Sequence, residues 1–227
     1  MSSHPAVVAI DTAGPLIGAA VSVGGSARAW STRVVRGADA VLAEALSGMM
    51  KDVSSVDLVV VSVGPGAFTS LRVGVATALG LALAQDCPVL GVSSLEARAQ
   101  MVGGEGRVLA LLDARKSRAY GGAFEWTETG MMPMGNEQDL APEQAVLLAG
   151  RGGFKAVGEG ALVWADLVAG AGGQVVDEPE RSPAAWMAEN AWERRSQAVS
   201  PGEIRLRYLR EPDAKKPIRQ NPGGLQE

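Results

Sequence analysis

Apolar residues in this chain come in short, nearly uncharged runs punctuated by glycine and proline. Ala6-Val7-Val8-Ala9-Ile10, Leu58-Val59-Val60-Val61-Ser62-Val63, Val89-Leu90-Gly91-Val92 and Val108-Leu109-Ala110-Leu111-Leu112 are the clearest. Brief β-branched runs bounded by turn residues predict buried strands. The first ends in Asp11-Thr12. Beyond Gly14-Pro15, residues 16–23 and 28–35, separated by Gly24-Gly25, predict a meander of three antiparallel strands. Residues 38–51 predict a helix whose Val41, Leu42, Ala45, Leu46, Met49 and Met50 occupy more than one stripe, leaving Asp39, Glu44, Lys51 and Asp52 for water. A surface helix needs one apolar face, so a helix apolar on two is buried twice, within its own domain or against a partner. The methionines suit an adaptable interface.

Gly64-Pro65-Gly66 stops the strand at 58–63, because proline fixes its φ and lacks a donor while glycine permits φ > 0. Thr69 or Ser70 can cap the next helix, which runs through Arg72, Gly74, Thr77, Leu81 and Ala84 to about Gln85 and ends before Cys87-Pro88. Gly74, Ala76, Ala78, Gly80, Ala82 and Ala84 leave little side chain on much of its surface. Glycine inside a helix costs about 1 kcal/mol relative to alanine, so another backbone is expected to approach closely, a neighbouring helix or another subunit.

Ser93-Ser94 opens a helix over 95–101, and Gly103-Gly104-Glu105-Gly106 breaks the chain into a first lobe, 1–104, and a second, 105–199. There the run into Asp113 echoes the run into Asp11, which suggests a duplicated βββαβα unit. A strand at 118–126, a loop at 127–142, a short helix from Pro142 to Leu148 and a strand at 155–158 follow. Gly158-Glu159-Gly160 then leads into a helix at 161–169, repeating the earlier glycine turn, and residues 184–197 form the last helix, expected to pack back on the first lobe. The segment 200–227 is basic and Pro-rich, with Arg205, Arg207, Arg210, Lys215, Lys216 and Arg219, and reads as poorly packed.

Composition narrows the chemistry. A formal charge of −4 argues against a protein that grips nucleic acid unaided. No apolar run is long enough to span a bilayer and no leader pattern is present, so no membrane role is expected. One cysteine, Cys87, excludes a disulfide framework and fits a reducing cytoplasm, with the thiol acting as a small buried hydrophobe. His4 is the single histidine and falls in an N-terminal tail expected to be mobile, which removes Ser-His-Asp triads and Cys-His dyads, and one histidine cannot supply a metal site needing two imidazoles.

Strand, glycine turn and helix N-terminus at 58–70 can form a nest of N–H groups that holds a phosphate, with Asp11, Thr12, Gly64, Gly66 and Thr69 as the candidate nucleotide loop. The same glycines also suit a plain tight turn, and Asp11 also suits an Asx-turn at a strand end. The stretch has neither the Gly-Lys-Ser/Thr of a P-loop nor the third glycine of a dinucleotide fingerprint.

Ile10-Asp11-Thr12-Ala13, Gly64-Pro65-Gly66-Ala67-Phe68-Thr69-Ser70-Leu71-Arg72-Val73-Gly74, Gly91-Val92-Ser93-Ser94-Leu95, Leu112-Asp113-Ala114-Arg115, Val157-Gly158-Glu159-Gly160 and Arg207-Tyr208-Leu209-Arg210 together resemble the TsaB (YeaZ) family. Members accompany the TsaD enzyme in making threonylcarbamoyladenosine on tRNA. The resemblance implies an α/β fold of the actin/Hsp70/sugar-kinase (ASKHA) type, with two related lobes. It implies a subunit with no catalytic residues, metal or cofactor of its own; ATP, magnesium and metal belong to the TsaD-like and TsaE-like partners, and tRNA is met only indirectly. It also implies a surface for TsaD and for self-association in a homodimer on the first two helices, here Val41, Leu42, Ala45, Met49, Gly74, Thr77, Ala78 and Leu81. The rival readings are a nucleotide-dependent phosphotransferase working through Asp11 and the 64–66 loop, and a glycoprotease-like peptidase.

Overall fold

The run that ends at Asp11 becomes strand β1 (Ala6–Asp11), buried along its whole length. Val8 and Ile10 pack on one side with Leu42, Leu46, Ala78 and Ala82, while Val7 and Ala9 pack on the other with Met187, Ala188 and Ala97. Successive strand residues point to opposite faces, so covering both faces demands an unbroken apolar run. The computed structural model describes residues 5–34, 37–176 and 182–210. His4, Val35, Lys215, Lys216 and Arg219 lie outside them.

β1 pairs antiparallel with β2 (Leu16–Val23), and β2 with β3 (Ser26–Arg33). Gly24 and Gly25, with φ of 64° and 84°, close the β2–β3 hairpin, where two consecutive positive φ values match the twist of the strands. On its other edge β1 pairs parallel with β4 (Leu58–Gly64), and β4 with β5 (Val89–Ser93). The second sheet repeats the scheme: β6 (Gly106–Asp113) is central, β7 (Ala119–Thr127) and β8 (Gly130–Pro133) are antiparallel on one side, and β10 (Phe154–Val157) and β11 (Gly173–Val175) are parallel on the other. Helices α1 (Ala38–Met49), α2 (Phe68–Gln85) and α3 (Ser94–Val102) follow β3, β4 and β5. In the second lobe α4 (Pro142–Ala145), the pair α5 (Glu159–Val163) and α6 (Ala165–Gly170), and α7 (Ala184–Asn190) take the same places. The weak echo between Asp11 and Asp113 is thus a true structural repeat. Two such related lobes are the actin/Hsp70/sugar-kinase architecture.

Several elements depart from the sequence reading. The segment expected to be a loop carries β8 and a short β9 (Gln138–Leu140), edge pairings on β7 of four and three residues, too short to show an alternation. The helix expected at 161–169 starts at Glu159 and breaks at Trp164 (φ −114°, ψ 38°), whose indole lies against Gly160. The last helix gives way to a 3-10 turn over Ala191–Gln197, where Arg194 Nη1 meets Glu96 Oε1 of α3 at 2.8 Å. The first residue of β11, Gly173, packs against the Phe154 ring, a contact no local pattern encodes.

Neither Thr69 nor Ser70 caps α2; the N-cap is Ala67, with no side-chain cap, and α2 begins at Phe68. By length and average composition alone α2 could cross a bilayer, with a mean hydropathy of 1.3 over 18 residues, although Thr69, Ser70, Arg72, Thr77 and Gln85 interrupt its apolar run. Here it is a core helix on one side, with Leu71, Gly74, Val75, Ala78 and Ala82 buried. The segment from Ser200 was expected to pack poorly, but within the described residues Ile204 and Leu206 pack into the core clusters.

Candidate docking face and inter-lobe cleft

The strand ends that carry Asp11 and Asp113 meet at the cleft between the sheets. Asp11 is fully buried, and its Oδ2 takes a bond from Arg98 Nη2 at 3.2 Å; the Arg98 side chain is 4% exposed. Arg98 comes from α3, which packs on both sheets, and its other guanidinium nitrogen donates to the Ser94 carbonyl at 2.9 Å. Gly14, in the β1–β2 turn, lies against both Arg98 and the Glu159 carboxylate. Burial pushes the Glu159 carboxyl above its ordinary range; the Arg98 charge opposes that shift, while Asp11 and Asp113 add to it. The acidic end of β1 therefore faces a guanidinium supplied by the chain itself.

Thr12 is buried, and its hydroxyl donates to the Ser70 carbonyl at 2.7 Å. Gly66 lies hard against the backbone of Ala13, and Ala67 N donates to Ala13 O at 2.9 Å. Gly64 has φ 114°, and a side chain there would overlap the Arg207 carbonyl. These glycines allow three backbones to touch: the β1–β2 turn, the β4–α2 turn and the C-terminal segment. Of the candidate nucleotide loop, Asp11, Thr12, Gly64 and Gly66 come together here, and Thr69 is exposed on the first turn of α2.

The C-terminal segment crosses this turn as a strap. Val199 and Val89 exchange two backbone bonds of 2.9 Å, and Arg207 N donates to Val63 O at 2.7 Å. Arg207 Nη1 stands 3.1 Å from Glu137 Oε2, and the Ser93 hydroxyl donates to Glu137 Oε1. Ser93 also caps α3, accepting from Leu95 N and Glu96 N. Burial raises the Glu137 pKa, against the opposing effects of Ser93 and Arg207.

The eight residues expected to form a partner surface divide in two. Leu42, Gly74 and Ala78 are interior: Leu42 and Ala78 belong to the core cluster beneath α1 and α2, and a Cβ on Gly74 would overlap the Thr12 hydroxyl. These three are corrected to fold-forming residues, because the close approach that glycine and alanine permit is made by the chain's own strands. Val41, Ala45, Met49, Thr77 and Leu81 are half-buried at the margins of the two helices. Between and beyond them lie Ala43, Glu44, Ala76, Gly80 and Ala84, all exposed, with Leu83 70% exposed. Arg98, Glu159, Glu137 and Tyr208 were not singled out from sequence. Glu159 lay inside the noted second glycine turn and Tyr208 inside a quoted motif, whereas nothing in the spacing of the 95–101 helix marks Arg98.

Comparison with known proteins places this arrangement. A family model described as TsaD, tRNA N6-adenosine threonylcarbamoyltransferase, matches residues 26–159. An uncharacterized protein of Mycobacterium tuberculosis is 34% identical over 224 residues, 92% of this chain and 93% of its own. The tRNA threonylcarbamoyladenosine biosynthesis protein TsaB of Escherichia coli is 36% identical over 113 residues, which is 46% of this chain and 48% of that protein. YeaZ from Pseudomonas aeruginosa superposes with a TM-score of 0.76 at 25% identity, covering 90% of this chain and all of that structure. Duplicated lobes, Gly64-Pro65-Gly66 turn and full-length superposition agree: this chain belongs to the TsaB/YeaZ family.

Proposed function

We propose that this chain is a non-catalytic, activating subunit of the machinery that forms N6-threonylcarbamoyladenosine on tRNA, and that it docks a TsaD-like subunit through the outer sides of α1 and α2. One observation carries the reading. α2 has a single charged residue, Arg72, among 18, yet turns Ala76, Gly80, Leu83 and Ala84 to solvent. An apolar helix face of small residues left in water is an interface in want of its other half. The same face serves self-association. The guanidinium beside Asp11 and the strap across Gly64 suit a cleft used for shape rather than turnover. In this reading ATP, magnesium and any catalytic metal are held by the TsaD-like and TsaE-like partners, tRNA is reached through the assembly, and the site of action is the cytoplasm.

The test is co-elution of the purified chain with the TsaD-like subunit of the same organism. Ala45→Glu and Leu83→Asp each place a carboxylate on the outer face and should abolish co-elution while the circular dichroism stays that of the parent. Wild-type affinity in both variants refutes the docking reading. Calorimetry with ATP and magnesium on the isolated chain addresses the rival phosphotransferase: micromolar binding with turnover would replace the scaffold role.

A further inference from the structure

The exposed side of α2 is completed at its N-terminal end by a residue from the far end of the chain. Arg72 lies over the Phe68 ring, its guanidinium carbon 3.8 Å from the centroid. The Tyr208 ring packs on the other partner of the stack, 5.1 Å from the Phe68 centroid at an interplanar angle of 33°. Arg72 Nε donates to the Tyr208 hydroxyl at 3.1 Å. Tyr208 holds this position because the strap behind it is pinned, by the Val199–Val89 pair, by Ile204 and Leu206 in the core, and by Arg207 on Val63 and Glu137. The tier is nevertheless open to water: Tyr208 is 40% exposed and Arg72 is exposed.

Two features say what this tier receives. Arg and Tyr are among the residue types that dominate binding energy at interfaces, and here the stack on Phe68 and the bond to the Tyr208 hydroxyl already hold the Arg72 side chain. None of the ion pairs among the described residues involves Arg72. An exposed guanidinium with no acidic partner among the described residues calls for a carboxylate from outside. The family model described as TsaD matches residues 26–159, which include α1 and α2, so a TsaD-like subunit has segments corresponding to both helices.

We propose that Arg72, Phe68 and Tyr208 form the anchor at one end of the docking face, and that they receive an acidic side chain from the helix pair of the TsaD-like subunit. This inference rests on the docking reading above, and gives the C-terminal strap a purpose: it delivers Tyr208 to α2.

Calorimetric affinities for the TsaD-like subunit test it, using the full chain and the variants Tyr208→Ala, Tyr208→Phe and Arg72→Glu, with Ala45→Glu as reference. Tyr208→Ala should weaken binding about tenfold, Arg72→Glu at least as much, and Tyr208→Phe less, since it keeps the ring and loses only the hydroxyl. Raising the salt concentration should weaken wild-type binding more than that of Arg72→Glu. If Tyr208→Ala fails to fold, Arg72→Glu decides alone, because its position is exposed. Wild-type affinity in the tier variants alongside loss in Ala45→Glu overturns the anchor and leaves the docking face standing. Wild-type affinity in all four overturns the docking face itself. Loss of self-association alone, with partner affinity intact, overturns the acidic partner as occupant.

Discussion

Gly74 sits where α2 crosses the end of β1, and its missing side chain lets the Thr12 hydroxyl reach the Ser70 carbonyl at 2.7 Å. Gly74→Ala forces Thr12 aside in a packed interior. The expected cost is about 2 kcal/mol, read as a lower urea midpoint with an unchanged slope. Glu159 poses a different question, one of charge. Its carboxyl is raised above the ordinary value of 4.5 chiefly by burial, so the folded chain binds that proton more tightly than the unfolded one. The ionised form therefore weakens the fold at neutral pH, and the penalty fades as pH falls through the raised pKa toward 4.5. Glu159→Gln should melt above the wild type near neutral pH, and the gap should close in acid. A variant less stable at neutral pH would mean that attraction to Arg98 outweighs desolvation. Both residues lie in turns or helices whose glycines were noticed from sequence; the contacts that give them meaning come from strands and helices far along the chain.

At the level of the element, α2 separates what periodicity can and cannot tell. With small apolar residues on every side, the sequence offered no stripe to distinguish inner from outer faces. Packing made the distinction: Leu71, Gly74, Val75, Ala78 and Ala82 point inward, while Ala76, Gly80 and Leu83 point out. Ala78 and Ala76 therefore form a matched pair for experiment. Ala78→Arg should leave no cooperative thermal transition, because it buries a charge without a partner. Ala76→Arg should melt within about 1 kcal/mol of wild type and lose the TsaD-like partner. Equal stability of the two proteins would show that α2 is seated the other way round. α1 reads as apolar on more than one stripe, and packing chose between them: Leu42 and Leu46 lie in the core, Val41, Ala45 and Met49 are half-buried, and Asp39 and Glu44 lie in water.

Across the whole molecule, α3 packs against both sheets, the strap links Val63 of the first lobe to Glu137 of the second, and a buried ion pair fixes α3 to the end of β1. Arg98 on α3 answers Asp11 on β1, in a helix that packs against both sheets. Removing one partner of a buried pair strands the other charge, so Arg98→Ala should cost about 3–5 kcal/mol. The double replacement Asp11→Asn with Arg98→Met should recover most of that loss in the same denaturation assay. Failure to recover would mean that the pair organises the cleft beyond neutralising its charge. The sequence by itself determined the local order: which runs are strands, where glycine and proline turn the chain, and that one βββαβα unit occurs twice. Those properties depend on side-chain shape and on φ, which neighbouring residues set. By count alone it also excluded metal sites that need two imidazoles. Only the tertiary structure decided which side of α2 faces water, which cation meets Asp11, and that Tyr208 arrives beside Phe68. The Arg72–Tyr208 bond alone joins residues 136 positions apart, and no local preference specifies such pairings. They are settled by the burial of both sheets, which brings distant segments into contact at once.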